Sequence, residues 1–254
     1  MRRAYVVGRL TFGLLGMLLL FVPAAESAGV NSFDSEEQFS EWVTFYYLAP
    51  QPERLSSAVR YYADSALYEK QNTRMLTATF FASLFRQDAG LLRKAYEDIA
   101  QGGSKNAKIF FLNVLWVVDT EDSRAFLAKA RTAWTAEPVQ RILVRMEGHR
   151  PNDLLEVPVD SPAVLDQLWA MFMATGDAAP VRRIISVVHL LEEGLGEGHV
   201  AEIMVGGAAR WSLTSNARQH KRVYDICRQE LQRSEGTTKS LLEQILAQAD
   251  KKEP

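Results

Sequence analysis

The stretch AKIFFLNVLWVVDTED, residues 107–122, decides the fold. Ile109 to Leu112 and Val114 to Val118 put apolar side chains on every side of a helical wheel. A helix without a polar face must be covered on all sides by other parts of the chain. The segment from Leu241 to Ala249 reads differently: Leu241, Leu242, Ile245, Leu246 and Ala249 form one stripe, as on a helix at the edge of a protein. Val164, Leu165, Leu168, Trp169, Met171, Phe172 and Met173 again occupy more than one face. A chain that alternates sandwiched helices with half-exposed ones predicts an all-α fold of stacked antiparallel helical hairpins, irregular and solenoid-like, with a compact multi-helix bundle as the alternative.

Apolar spacing after residue 34 is helical throughout, and no segment sustains strand alternation. The pattern predicts helices at 36–48, 53–68, 73–87, 91–100, 105–118, 122–134, 138–147, 162–175, 180–193, 199–218, 221–233 and 238–249. Asp34-Ser35, Ser161 before Pro162, and Thr237 supply N-terminal signals, because short polar side chains accept from unpaired backbone N–H groups. Gly90, Gly102-Gly103, Gly148, Gly176 and Gly236 are expected to stop helices. LTATFFASLFRQDAG, AKIFFLNVLWVVDTED, AVLDQLWAMFMATGDA and AARWSLTSNARQH suggest a degenerate repeat. Aligning Phe81, Leu112, Trp169 and Trp211 gives intervals of 31, 57 and 42 residues, too irregular for a fixed-period array.

The long interval holds GHRPNDLLEVPVDSP, residues 148–162, where three prolines oppose helix and an internal boundary is expected. Its Leu154, Leu155, Val157 and Val159 are too apolar for a free linker, so the segment is expected to lie packed as a connector, or to serve as a binding loop. The phrases VDSPAVLDQLWAMFMATGD and AARWSLTSNARQHKRVYDIC resemble those of a family of exported bacterial helical proteins with no assigned activity. The resemblance covers most of the chain after the leader. It implies an all-helical fold and bacterial export, and brings no active-site residue with it.

Arg2, Arg3 and Arg9 precede an uncharged run from Leu10 to Ala25, with small residues after it, the layout of a secretory signal peptide. The run is 16 residues, short of a membrane span. The expected cut follows Ser27, leaving residues 28–254 as a single helical domain in the periplasm or outside the cell, with no membrane span. Loss of Arg2, Arg3, Arg9 and Glu26 leaves 26 basic and 30 acidic residues. That balance and the shortness of the His220-Lys221-Arg222 cluster argue against nucleic acid as a partner. The one cysteine, Cys227, forms no internal disulfide.

Chemistry is concentrated in GGAARWSLTSNARQHKRVYDICRQEL, residues 206–231. Ser215, His220 and Asp225 can be drawn as a hydrolase triad, but no G-x-S-x-G turn surrounds Ser212 or Ser215. Cys227 falls on the stripe Val223, Ile226, Cys227, Leu231 and is expected in the core. HLLEEGLGEGH offers His189, Glu192, Glu193, Glu197 and His199 to a metal, without H-E-x-x-H spacing. Paired carboxylates for glycoside hydrolysis leave no local spacing; Glu36, Glu37, Asp119, Glu121, Asp166 and Asp177 all sit near helix ends, where acids are ordinary. The wheel assigns Met204, Ala208, Trp211 and Ser215 to one packed face, and Ala209, Leu213 and Ala217 to an opposite one, with Gly206 and Gly207 admitting a neighbour. Asn216, Gln219 and His220 remain at the turn as candidate partner-binding residues. Trp42, Tyr46 and Tyr61 join them, since consecutive aromatics near the start of the domain cannot all face one core. No cofactor and no metal are expected. The reading is a non-catalytic envelope scaffold binding a protein, peptide or glycan, an immunity or inhibitor protein being one form of it; the alternative is an envelope hydrolase or metal-dependent enzyme.

Overall fold

Side-chain caps set the starts of four of the described helices. A computed structural model describes residues 33–251, so the expected leader at 1–27 lies outside the described residues. Among those residues the chain is all-α, with packed helix–helix contacts and no strand. In chain order the helices are α1 Glu36–Phe45, α2 Leu55–Asp64, α3 Gln71–Phe85, α4 Ala89–Gly102, α5 Lys105–Val118, α6 Glu121–Ala133 and α7 Glu137–Met146. After a connector follow α8 Pro162–Thr175, α9 Ala178–Ile185, α10 Leu190–Glu197, α11 Val200–Gln219, α12 Lys221–Leu231 and α13 Gly236–Ala249. Short 3₁₀ turns at Tyr46–Leu48, Pro52–Arg54 and Ala66–Glu69 replace the ends of the two long helices expected before residue 70.

Ser35, Asp88 and Ser104 accept from backbone N–H groups at the starts of α1, α4 and α5, and Thr120 and Ser123 form a reciprocal capping box on α6. Four expected signals act otherwise. Ser161 makes no side-chain cap bond, Gly236 opens α13 and does not end α12, Thr237 lies inside α13, and Gly90 sits in the first turn of α4. Gly176 does end α8, at φ +69°. The helix expected over 180–193 is broken between α9 and α10. There Val187, Val188, Leu190 and Leu191 bond three residues back, which tightens the chain into 3₁₀ geometry and buries Val188 fully.

α5 is covered over most of its circumference: α2, α3, α4, α6 and α7 pack around it, and the strip Ile109, Asn113 and Trp116 stays half-buried. Phe110, Phe111, Leu112, Val114 and Leu115 are completely buried, each contributing about 1.5–3 kcal/mol. Phe110 lies 4.6 Å from Tyr62 of α2 between ring centres. Arg86, at the end of α3, donates to the carbonyls of Val117 and Val118 and so caps the C-terminus of α5. α8 docks chiefly on α3 and α9. The connector 147–161 holds Val159 in the core and Leu154 and Leu155 against it, and Arg183 of α9 donates to the Val157 carbonyl. The described residues belong to one compact unit.

Candidate binding groove

Where α5 gives way to α6, Asp119 takes a left-handed conformation, φ 45°, and turns the chain sharply. Arg124 holds that turn, its Nη1 lying 2.6 Å from Asp119 Oδ1 and 2.9 Å from the Asp119 carbonyl. The end of α7 and the first residues of the connector come back beside the turn, and Trp116 Nε1 donates to the His149 carbonyl at 3.3 Å. The result is a groove of about 390 Å³. Its floor is Leu115 and Leu143, both buried; its walls are the half-buried Trp116, Leu127 and Met146. Arg124, Arg131, His149 and Arg150 stand on its lip with Asp119 and Glu147. Arg131 Nη1 reaches Glu147 Oε2 at 3.2 Å. That pair is exposed, and such pairs contribute little and exchange partners readily. An apolar concavity with more guanidinium than carboxylate at its edge suits an apolar group attached to an anion.

A second surface lies on α11. Val205, Ala209, Ser212, Leu213 and Ala217 face the core. The face carrying Met204 and Trp211, expected to be packed, is open: Val200 is 67 % exposed, Met204 49 % and Trp211 58 %, and Leu195 at the end of α10 is 60 % exposed. α8, α9, α10, α12 and α13 all pack on α11, and none of them covers this face. Beside Trp211, a groove of about 300 Å³ runs between α11 and Gln248 of α13. Arg210 donates to Gln244 Oε1 at 2.9 Å, and Arg218 to the Gln248 carbonyl at 3.0 Å.

The residues singled out from the sequence are placed as follows. His220 is not at a free tip. It is 1 % exposed, in ring contact with Phe45, Tyr47 and Phe172, and its Nδ1 shares a hydrogen bond with Tyr47 Oη at 3.1 Å. Burial pushes its pKa down to about 4, so the ring is neutral; Nε2 is buried with no hydrogen-bond partner. Asn216, half-buried, spends its amide on the Ser212 carbonyl, which leaves Gln219 as the exposed member of the three. Tyr46 is 4 % exposed, and Trp42 and Tyr61 are half-buried in one aromatic layer with Phe33, Phe39, Tyr62 and Phe80. Trp42 Nε1 donates to Gln51, and the Arg54 guanidinium covers Phe33 at 4.1 Å. The layer packs the start of the domain.

The triad is not assembled. His220 is engaged by Tyr47, and Asp225 is paired with Lys221 at 2.5 Å, the hydrogen bond from Lys221 holding its carboxyl below the usual range. Cys227 is completely buried, and burial pushes its thiol up to about 12. Among the described residues no cluster of three metal-ligating side chains occurs; His189 pairs with Glu193 and His199 with Glu202. Glu36 and Asp119 are taken by Lys70 and Arg124.

Sequence reasoning passed over Trp116, Leu127, Met146 and Arg150, whose proximity depends on the return of the connector. For α11 a signal was available: residues 203–224 contain Arg210, Arg218, Lys221 and Arg222 and no acidic residue. Comparison with family models, with curated proteins and with solved structures gives no match.

Proposed function

We propose that this protein is an exported, non-catalytic helical scaffold that binds a segment of a partner protein in the cell envelope. The observation that carries the reading is the groove between α5, α6 and the end of α7, with its apolar floor, its Trp116 wall and its arginine lip. Its volume falls within the roughly 300–1,000 Å³ of ordinary binding clefts, and tryptophan and arginine are the side chains most often found as binding anchors. The segment it suits carries an aliphatic or aromatic anchor beside a carboxylate, the anchor against Trp116 and Leu127 and the carboxylate on Arg150 or Arg131.

A photo-crosslinking residue at Ala128, exposed on the groove wall, tests this in intact cells. The expected result is an adduct to one envelope protein that is absent from the control position Gln229, exposed on α12, and is reduced about tenfold or more by Arg150→Glu, as for loss of a charged anchor. Identical adducts from Ala128 and Gln229, or an Ala128 adduct indifferent to Arg150→Glu in a folded protein, would remove the proposal.

A further inference from the structure

We propose that the open face of α11 is an interface between two copies of this chain, packed face to face with their α11 helices antiparallel about a two-fold axis that crosses the helix at Gly207–Ala208. The site is separate from the groove above, and neither proposal depends on the other.

The face is nearly symmetric about its own midpoint. Gly207 and Ala208 occupy the centre; Met204 and Trp211 lie equally far on either side, and so do Val200 and Ser215. Reversing the helix on itself therefore sets Met204 of one copy over Trp211 of the other, a thioether on an indole, which is a favourable contact. It also sets the smallest residues against each other at the crossing point, where two helix backbones come closest.

Charge adds a direction. Beside the N-terminal half of α11 lies α10, which approaches so closely that a Cβ on Gly206 would meet Leu191 N at 2.2 Å and one on Gly194 would meet Ile203 N at 2.9 Å. α10 presents the exposed acids Glu192 and Glu193. Beside the C-terminal half, on the same flank, lies α13, joined to Arg210 and Arg218. Glu192 and Glu193 thus stand toward one end of the flank, and Arg210 and Arg218, with Glu243 beside them on α13, toward the other. An axis in the interface plane and perpendicular to α11 keeps this flank on the same side while exchanging its ends. It brings Glu193 of one copy to the level of Arg210 of the other, twice over. A parallel pairing, with its axis along α11, would carry the flank to the opposite side and leave these opposite charges apart, without the complementarity that fixes register. Isologous two-fold pairing is the commonest way in which a single chain covers such a face. The 20 residues of α11 extend about 30 Å. With its flanking helices that strip is of the order of the ~800 Å² per partner that a stable interface uses.

Sedimentation equilibrium of the full chain over a roughly hundredfold concentration range reads the association. The expected result is a monomer–dimer equilibrium whose dissociation constant rises about tenfold or more in Trp211→Asp. Glu193→Arg and Arg210→Glu each weaken the dimer, and the double variant restores it, the signature of a direct pair. Should Trp211→Asp misfold by circular dichroism, Ala208→Cys keeps the question open to test. Mild oxidation then yields a disulfide-linked dimer that Gln229→Cys, exposed on α12, does not give. A monomer at every concentration, a dimer indifferent to Trp211→Asp, or a double charge reversal no better than the single ones would overturn the proposal. Binding of this face to anionic lipid vesicles as a monomer would overturn it equally.

Discussion

His220 gives up water for three aromatic rings and one hydrogen bond, and only its neutral form tolerates the exchange. Its pKa is depressed to about 4 in the folded protein from 6.5 in the free side chain. Above pH 6.5 both states hold the ring neutral, and stability is unaffected by it. As pH falls from 6.5 to about 4, the unfolded chain takes up a proton that the folded protein refuses, so stability is lost across that window and levels off below it. The loss approaches about 3 kcal/mol. Urea unfolding at a series of pH values is expected to show this slope in the native chain and a shallower one in His220→Phe; the same slope in both would show that the ring does not titrate as described. From the sequence, His220 read as a polar residue at a helix turn, and the turn is there. Its burial comes from Tyr47, 173 residues earlier, and no local pattern carries that information.

At the scale of the element, two adjacent glycines with the same sequence signature have opposite consequences. A Cβ on Gly206 collides with the backbone of Leu191, whereas one on Gly207 meets only Leu191 Cδ1 at 3.8 Å, an ordinary contact. Gly206→Ala is therefore expected to force α10 from α11 and cost about 1–3 kcal/mol. Gly207→Ala, measured at a concentration where the chain is monomeric, is expected to be neutral or stabilising by up to ~1 kcal/mol through helix propensity. Equal urea midpoints for the two would contradict the close approach. Helices themselves were legible wherever apolar periodicity ran unbroken, as in α5, α8 and α13. The break at residues 186–189 was not, because Val187 and Val188 continue the apolar pattern while their backbone bonds shorten to three residues. The open face of α11 was misjudged for a related reason. Periodicity shows that a stripe is apolar, but not whether another helix arrives to cover it.

For the whole molecule, the decisive contact is α8 on α3. The packed connector and the bond from Arg183 to Val157 reinforce it, so the segments before and after residue 150 share one core. Unfolding is accordingly expected in a single transition, with tryptophan fluorescence and far-ultraviolet circular dichroism superimposing across a urea titration. Trp42, Trp116 and Trp134 report from the first part and Trp169 and Trp211 from the second. Two separated transitions would show that the connector divides the chain. The irregular repeat intervals argue against a simple array, yet which helix rests on which is settled by surfaces far apart in the chain, beyond the reach of any window of sequence.

That same contact sets a schedule for synthesis. α3 leaves the ribosome with apolar residues on several sides, Ala78, Phe80, Phe81 and Ala82 among them, and α8, its main neighbour besides α5, follows roughly ninety residues later. At about 5–20 residues per second this leaves the α8-facing side of α3 uncovered for roughly 4–18 s. Throughout that interval the growing chain is a client for whatever shields greasy nascent segments, and the docking of α8, which brings Gln167 to Thr79, is the event that ends its dependence.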